Sequence, residues 1–188
     1  MHVLDIEDPV KTNFIKTLCR QKGITPPINH TNNGLQFVFT TNGGPPLPGA
    51  DGRITRMGFP VTDRSAGKNY VILPPTNGRT WENETALDNP PAIPDELLPA
   101  ENTVADTTRT LAWALGDAHR KGLLAGYDDL DAGFMSLLVT CEIREADILE
   151  AYRLVFLTDF EERRTLTMLE RTKARKAAGE PLTGTASL

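Results

Sequence analysis

The sequence predicts an α+β fold: a small, mostly antiparallel sheet carrying one or two helices, followed by an all-α C-terminal domain. Three observations carry this. Runs rich in apolar, β-branched and aromatic residues, at "VLDIE", "LQFVF" and "YVIL", all fall in the first hundred residues. One stretch of helical period, with Val10, Phe14 and Leu18, lies between the first two. Beyond residue 103 the apolar pattern is helical throughout.

The elements follow in order. Val3–Glu7 predicts a strand, and Asp8-Pro9 after it reads as a helix N-cap with proline in the first turn. That helix ends near Gly23, and Pro26-Pro27 stops any continuation. A turn at Asn32-Asn33-Gly34 leads into a strand over Leu35–Thr40. Residues 42–60 are dense in Gly and Pro and predict a long surface loop with one short strand near Ile54. Tyr70–Leu73 predicts a third strand, closed by Pro74-Pro75, and Trp81 lies on a short fourth. "IPDELLPAE" predicts a last helical turn.

This makes residues 1–98 one domain and 99–103 a linker. A helical domain occupies 104–178, and 179–188 is a flexible tail. Within the helical part, Val104–Lys121 ends at Gly122, and Asp128–Cys141 is a second helix. Glu145 to about Ala178 is too long for one compact helix, with a break expected at Phe156-Leu157-Thr158.

A length of 188 residues suits one domain plus a small second one, and 39% apolar with 24% charged residues is ordinary for a soluble chain. No stretch is apolar enough to span a bilayer and no leader precedes the first strand, so a cytoplasmic protein without a membrane partner is expected. Cys19 and Cys141 have no paired spacing, which suggests neither a disulfide framework nor a zinc site. A net charge of −5 argues against wholesale electrostatic capture of nucleic acid. The charge is uneven: residues 1–100 hold 9 Lys/Arg against 10 Asp/Glu, and residues 101–188 hold 11 against 15. If three acids of the first part hold metal, the rest of that part is mildly basic.

Asp5 and Glu7, two positions apart on a strand, share a face. Either they meet water or they hold something positively charged. Asp63, brought beside them by sheet pairing, would complete three convergent carboxylates, the hard oxygen donors that a pair of Mg²⁺ or Mn²⁺ ions takes. Two such ions activate an attacking oxygen and neutralise a leaving pyrophosphate.

The text around these acids resembles the prim-pol type (bifunctional DNA primase/polymerase) domain of the archaeo-eukaryotic primase superfamily, known from plasmid and phage replication proteins. The family's strand ending in two acids separated by one residue corresponds to "VLDIEDP". Its turn and Gly-x-His-aromatic strand correspond to "TNNGLQFVF". Its Asp ahead of a Gly-containing turn and an apolar Pro-Pro run corresponds to "TDRSAGKNYVILPPT", the most specific piece. "GRTWENE" and "AIPDELL" complete the order, over roughly residues 3–98.

The resemblance implies metal-binding, catalytic acids at Asp5, Glu7 and Asp63, and nucleotide contacts at Gln36, Arg64 and Lys68. It implies template-directed nucleotidyl transfer with Mg²⁺ or Mn²⁺, using single-stranded DNA as template and dNTP or NTP as substrate, with a replicative helicase as a further partner. The alternative is a catalytically inactive remnant that binds nucleic acid or a replication protein. The chain departs from the family in two places. Gln36 stands where the family has a histidine on the nucleotide's phosphates, and Gln donates a hydrogen bond but carries no charge. Met1 stands four residues before Asp5, so the α/β segment that precedes the acid pair in the family is expected to be missing and the rest to be the half built like an RNA-recognition-motif sheet.

Smaller candidates are His30, Trp81 and Tyr70 near the sheet, each with a plain structural role as the alternative. In the helical part, Arg163, Arg164, Arg171, Lys173, Arg175 and Lys176 form a basic stretch that is either a solvated helix end or a contact for an acidic partner.

Overall fold

The computed structural model describes residues 1–41, 50–64, 71–101, 103–124 and 127–182, without the side chains at 50, 51, 63 and 127–129. The chain divides into two compact units, Met1–Ala100 and Glu101–Leu188.

The first unit is built on six strands: β1 (His2–Ile6), β2 (Ile28–His30), β3 (Leu35–Phe39), β4 (Ala50–Ile54), β5 (Pro60–Asp63) and β6 (Thr80–Glu82). They form one sheet in the order β4-β5-β1-β3-β2-β6, with every strand pairing antiparallel. Helix α1 (Pro9–Gln21) follows β1 directly, because Asp8 caps it through a 2.8 Å bond from the Val10 amide and Pro9 starts it with its φ already set. Gly23, at φ +66°, closes it in the left-handed conformation that glycine adopts without strain.

Strand alternation sorts the sheet into two faces. Leu4, Ile6, Phe37 and Phe39 share one, and all are almost fully buried. Helix α1 covers this face, burying Ile15 and Leu18, and its Lys16 reaches Glu82, which lies in register with Ile28 and, through it, with Phe37. Each such side chain taken from water contributes about 1.5–3 kcal/mol. Val3, Asp5, Gln36, Val38 and Asn29 lie on the opposite face, so β1 delivers its acid away from the helix-covered core.

Three expectations need correction. Residues 71–73 are not a strand, and Tyr70 lies outside the described residues; Ile72 and Leu73 are exposed, and the Ile72 carbonyl is taken by the side chains of Asn29 and Arg79 instead of a strand partner. Asp63 ends β5, a strand not anticipated in the sequence, whose pairing with β1 sets the Asp63 backbone opposite Leu4. Pro60 is tolerated there because it is the strand's first residue. The short strand β2 was not anticipated either.

The described elements of the second unit are helices: α2 (Val104–Arg120), α3 (Tyr127–Thr140), α4 (Glu145–Phe156) and α5 (Glu162–Ala177). The expected break falls at Leu157, whose φ of +47° ends α4 before a single 3₁₀ turn, Leu157–Asp159. Trp113, Phe134, Met135, Ile148, Tyr152 and Leu169 are buried, and the Tyr152 hydroxyl donates to the Asp131 carbonyl at 2.7 Å. Burial and the Asp131 carboxylate hold that phenol well above its ordinary pKa. Among the described residues no helix is long and apolar enough to cross a membrane.

Candidate functional site

The register places a row of polar side chains straight across the sheet. Thr62 on β5 stands opposite Asp5 on β1, Asp5 opposite Gln36 on β3, Gln36 opposite Asn29 on β2, and Asn29 opposite Trp81 on β6. Directly opposed residues point to the same face, so the row is a continuous strip. Hydrogen bonds knit it together. The Asn29 amide donates from Nδ2 to Gln36 Oε1 at 2.7 Å and to the Ile72 carbonyl at 2.9 Å. Arg79 donates to the same Ile72 carbonyl at 2.9 Å and lies 3.4 Å from Gln36 Oε1. With its oxygen committed to these donors, Gln36 must turn its Nε2 toward Asp5, where it donates to Oδ2 at 3.1 Å.

Asp5 Oδ2 also accepts from Arg64 Nε at 2.9 Å. Arg64 follows β5, two positions after Thr62, and its amide donates to the Val3 carbonyl at 2.9 Å, so the β5–β1 ladder carries the guanidinium to the acid. The pair is sheltered: the Asp5 side chain is 15% exposed and that of Arg64 35%. Among the described residues both donors fall on Oδ2, which leaves Oδ1 to meet a cation.

Asp5 opens onto a cleft of about 280 Å³ that Glu7, Asp8, Lys11, Thr62 and Arg64 also line. Asp8 spends its Oδ1 on the cap of α1, and Lys11 Nζ donates to the Pro60 carbonyl at 3.2 Å, so α1 and β5 form opposing walls. Glu7 is exposed just past the end of β1. Its backbone is held by a close approach: a Cβ on Gly34 would overlap the Ile6 carbonyl oxygen and stand 2.7 Å from the Glu7 Cα.

The structure therefore brings together Asp5, Gln36 and Arg64, with Glu7 on the same cleft. The backbone of Asp63 is in register with Leu4, and Thr62 holds the position opposite Asp5. The Asp63 side chain and the whole of Lys68 lie outside the described residues. Among the described residues no three His, Cys, Asp or Glu side chains cluster closely enough to hold a metal.

Asn29, Arg79 and Lys11 escaped the sequence reading. Arg79 and Lys11 carry no local signal, being single cations in a turn and on a helix. Asn29 is fully buried between Ile28 and His30, which is informative only once β2 is known to be a strand. His30 Nε2 lies 3.1 Å from Glu82 Oε2, on which Lys16 Nζ also converges at 2.8 Å. The Lys16 ammonium holds the Glu82 carboxyl below its ordinary pKa; burial opposes it, and His30 adds a smaller lowering effect.

Comparison of the chain with protein-family models, with curated proteins and with solved structures finds no match in any of the three.

Proposed function

We propose that the first unit is a nucleotidyl-transfer module of prim-pol type, with a sheet of the RNA-recognition-motif kind, which joins nucleotides on a single-stranded DNA template in the replication of a phage, plasmid or other mobile element. One observation carries the reading. The strand order β5-β1-β3 sets the acid-bearing strand between the strand that ends at Asp63 and the strand bearing Gln36, at the edge of a cleft walled by Lys11 and Arg64. That is the neighbourhood a triphosphate with a divalent ion requires: hard oxygens and cations lining one cleft.

Asp5 and Glu7 fit Mg²⁺ or Mn²⁺ by the chemistry of their donors. Mg²⁺ is ordinarily held by one or two carboxylates together with substrate phosphates, so two acids on the cleft suffice if the nucleotide brings the remaining ligands. The ion, when bound, neutralises charge on the phosphates and makes the attacking oxygen a better nucleophile. The chain's own residues do the rest. Gln36 holds Asp5 in place through its N–H. Arg64 releases Oδ2 and turns to the phosphates, where its planar fork matches paired oxygens. Lys11 adds a point charge at the opposite wall.

A second reading is favoured by the Arg64–Asp5 pair itself. With its acid already neutralised, the cleft suits a catalytically silent module that binds nucleic acid or a replication protein.

Calorimetry and primer synthesis separate the two. The first reading expects saturable dNTP binding that requires Mg²⁺ or Mn²⁺, weak metal binding without nucleotide, and template-dependent synthesis. Synthesis should fall by on the order of 10²–10³ when Asp5, Glu7 and Asp63 are all changed to Ala. Synthesis that survives the triple change removes the site assignment, and absence of metal-dependent nucleotide binding leaves the silent module.

A further inference from the structure

The basic stretch on α5 is sorted by its partners. Arg164 lies 3.0 Å from the Asp131 carboxylate, Lys173 3.0 Å from Glu145, Arg175 3.4 Å from Glu180 and Lys176 3.4 Å from Glu142. Arg163 and Arg171 have no carboxylate partner among the described residues. They lie on one stripe of the helix with Thr167 midway, since steps of four keep to one face. Their anchor points are about 12 Å apart along the axis at a rise of ~1.5 Å per residue.

This stripe lines an open groove of about 450 Å³. Arg164, Asp131, Glu161 and Met168 line it too, so three guanidinium groups face two carboxylates, one of which Arg164 already neutralises. Thr167 donates its hydroxyl to the Arg163 carbonyl at 2.9 Å, which fixes its rotamer and leaves its methyl, with Met168, as an apolar surface between the two unpaired cations.

We propose that this groove binds the backbone of single-stranded nucleic acid, with one phosphate on Arg163 and another on Arg171. The guanidinium fork matches phosphate oxygens, and a rigid helix holds the two forks at a set separation. A flexible strand, charged at every nucleotide, meets that separation in any register. An acidic peptide needs two acids at one particular spacing. The small excess of positive charge, in a chain of net charge −5, makes the contact local and sensitive to salt. The inference does not depend on the reading of the first unit, because the groove needs neither nucleotide nor metal.

The test is fluorescence anisotropy of a labelled oligothymidylate with the full chain, in EDTA and without nucleotide, over a salt series. Two phosphate contacts on a single strand give a slope of log K against log salt of about −1.4. Arg163→Gln and Arg171→Gln should each make the wild-type slope shallower by about 0.7, and the double variant by about 1.4, whatever the first unit contributes. Lys173→Gln, whose cation already faces Glu145, should leave the slope unchanged. The proposal is overturned if the wild-type chain does not bind at the lowest salt, if the double variant keeps the wild-type slope, or if polyglutamate displaces the oligonucleotide at equal charge concentration.

Discussion

Asp5 is held by groups on both neighbouring strands, Gln36 on one side and Arg64 on the other. A carboxylate aimed by two donors keeps one orientation before any ligand arrives, which is what a metal or phosphate site requires of its residues. Gln36 is itself aimed, because Asn29 and Arg79 occupy its oxygen. Glu7 is placed differently, through the backbone approach at Gly34. Gly34→Ala should destabilise the chain by about 1–3 kcal/mol, the range for overpacking a fitted contact, and, on the proposed function, weaken metal-dependent nucleotide binding as Glu7 shifts. The urea midpoint and calorimetry check the two effects. An alanine variant with unchanged stability and binding would show that the approach is not tight.

At the scale of elements, the ties between α1 and the sheet decide how well the cleft walls are held. Lys16 on α1, His30 on β2 and Glu82 on β6 meet at one carboxylate. Because the Glu82 pKa is lowered in the folded chain, its stabilisation is present above the ordinary value of 4.5 and is lost as pH falls through the lowered folded value. The side chain is 41% exposed, so the effect belongs to the range of surface pairs, about 0.2–1 kcal/mol. Urea midpoints of the wild type and Glu82→Gln should therefore differ at neutral pH and converge in acid. A gap that widens as pH falls contradicts the assignment. The polar strip across the sheet is likewise a property of elements, since it exists only when five strands take one register. No pairing rule read along the chain would put Asn29 beside Gln36.

At the scale of the molecule, each unit has its own buried set: Leu4, Ile15, Phe37 and Phe59 in the first, Trp113, Phe134, Ile148 and Tyr152 in the second. A unit that buries its own apolar side chains carries its own driving force for folding. Residues 101–188 expressed alone should keep a helical circular-dichroism spectrum and a cooperative thermal transition, and residues 1–100 should do the same with a mixed spectrum. A fragment that is unfolded in isolation shows that its core needs the other unit. The separation also keeps the two proposals apart, since the cleft at Asp5 and the groove on α5 draw on different elements.

Along the chain itself, local chemistry was legible. The cap and proline at Asp8-Pro9, the glycine at position 23, the period of the helices and the break near Leu157 are short-range effects, set by residues within one or two turns of each other. Asp5 and Glu7 do line one cleft, but β1 ends at Ile6, so Glu7 lies beyond the strand alternation that predicted a shared face. The tertiary structure decided what depends on contacts between distant segments: that residues 60–63 form β5 and pair with β1, that residues 71–73 form no strand, and that Arg64 rather than water answers Asp5. Those outcomes turn on which backbone donors and acceptors find each other across the sheet, and that choice is made by register and burial rather than by any residue's own preference.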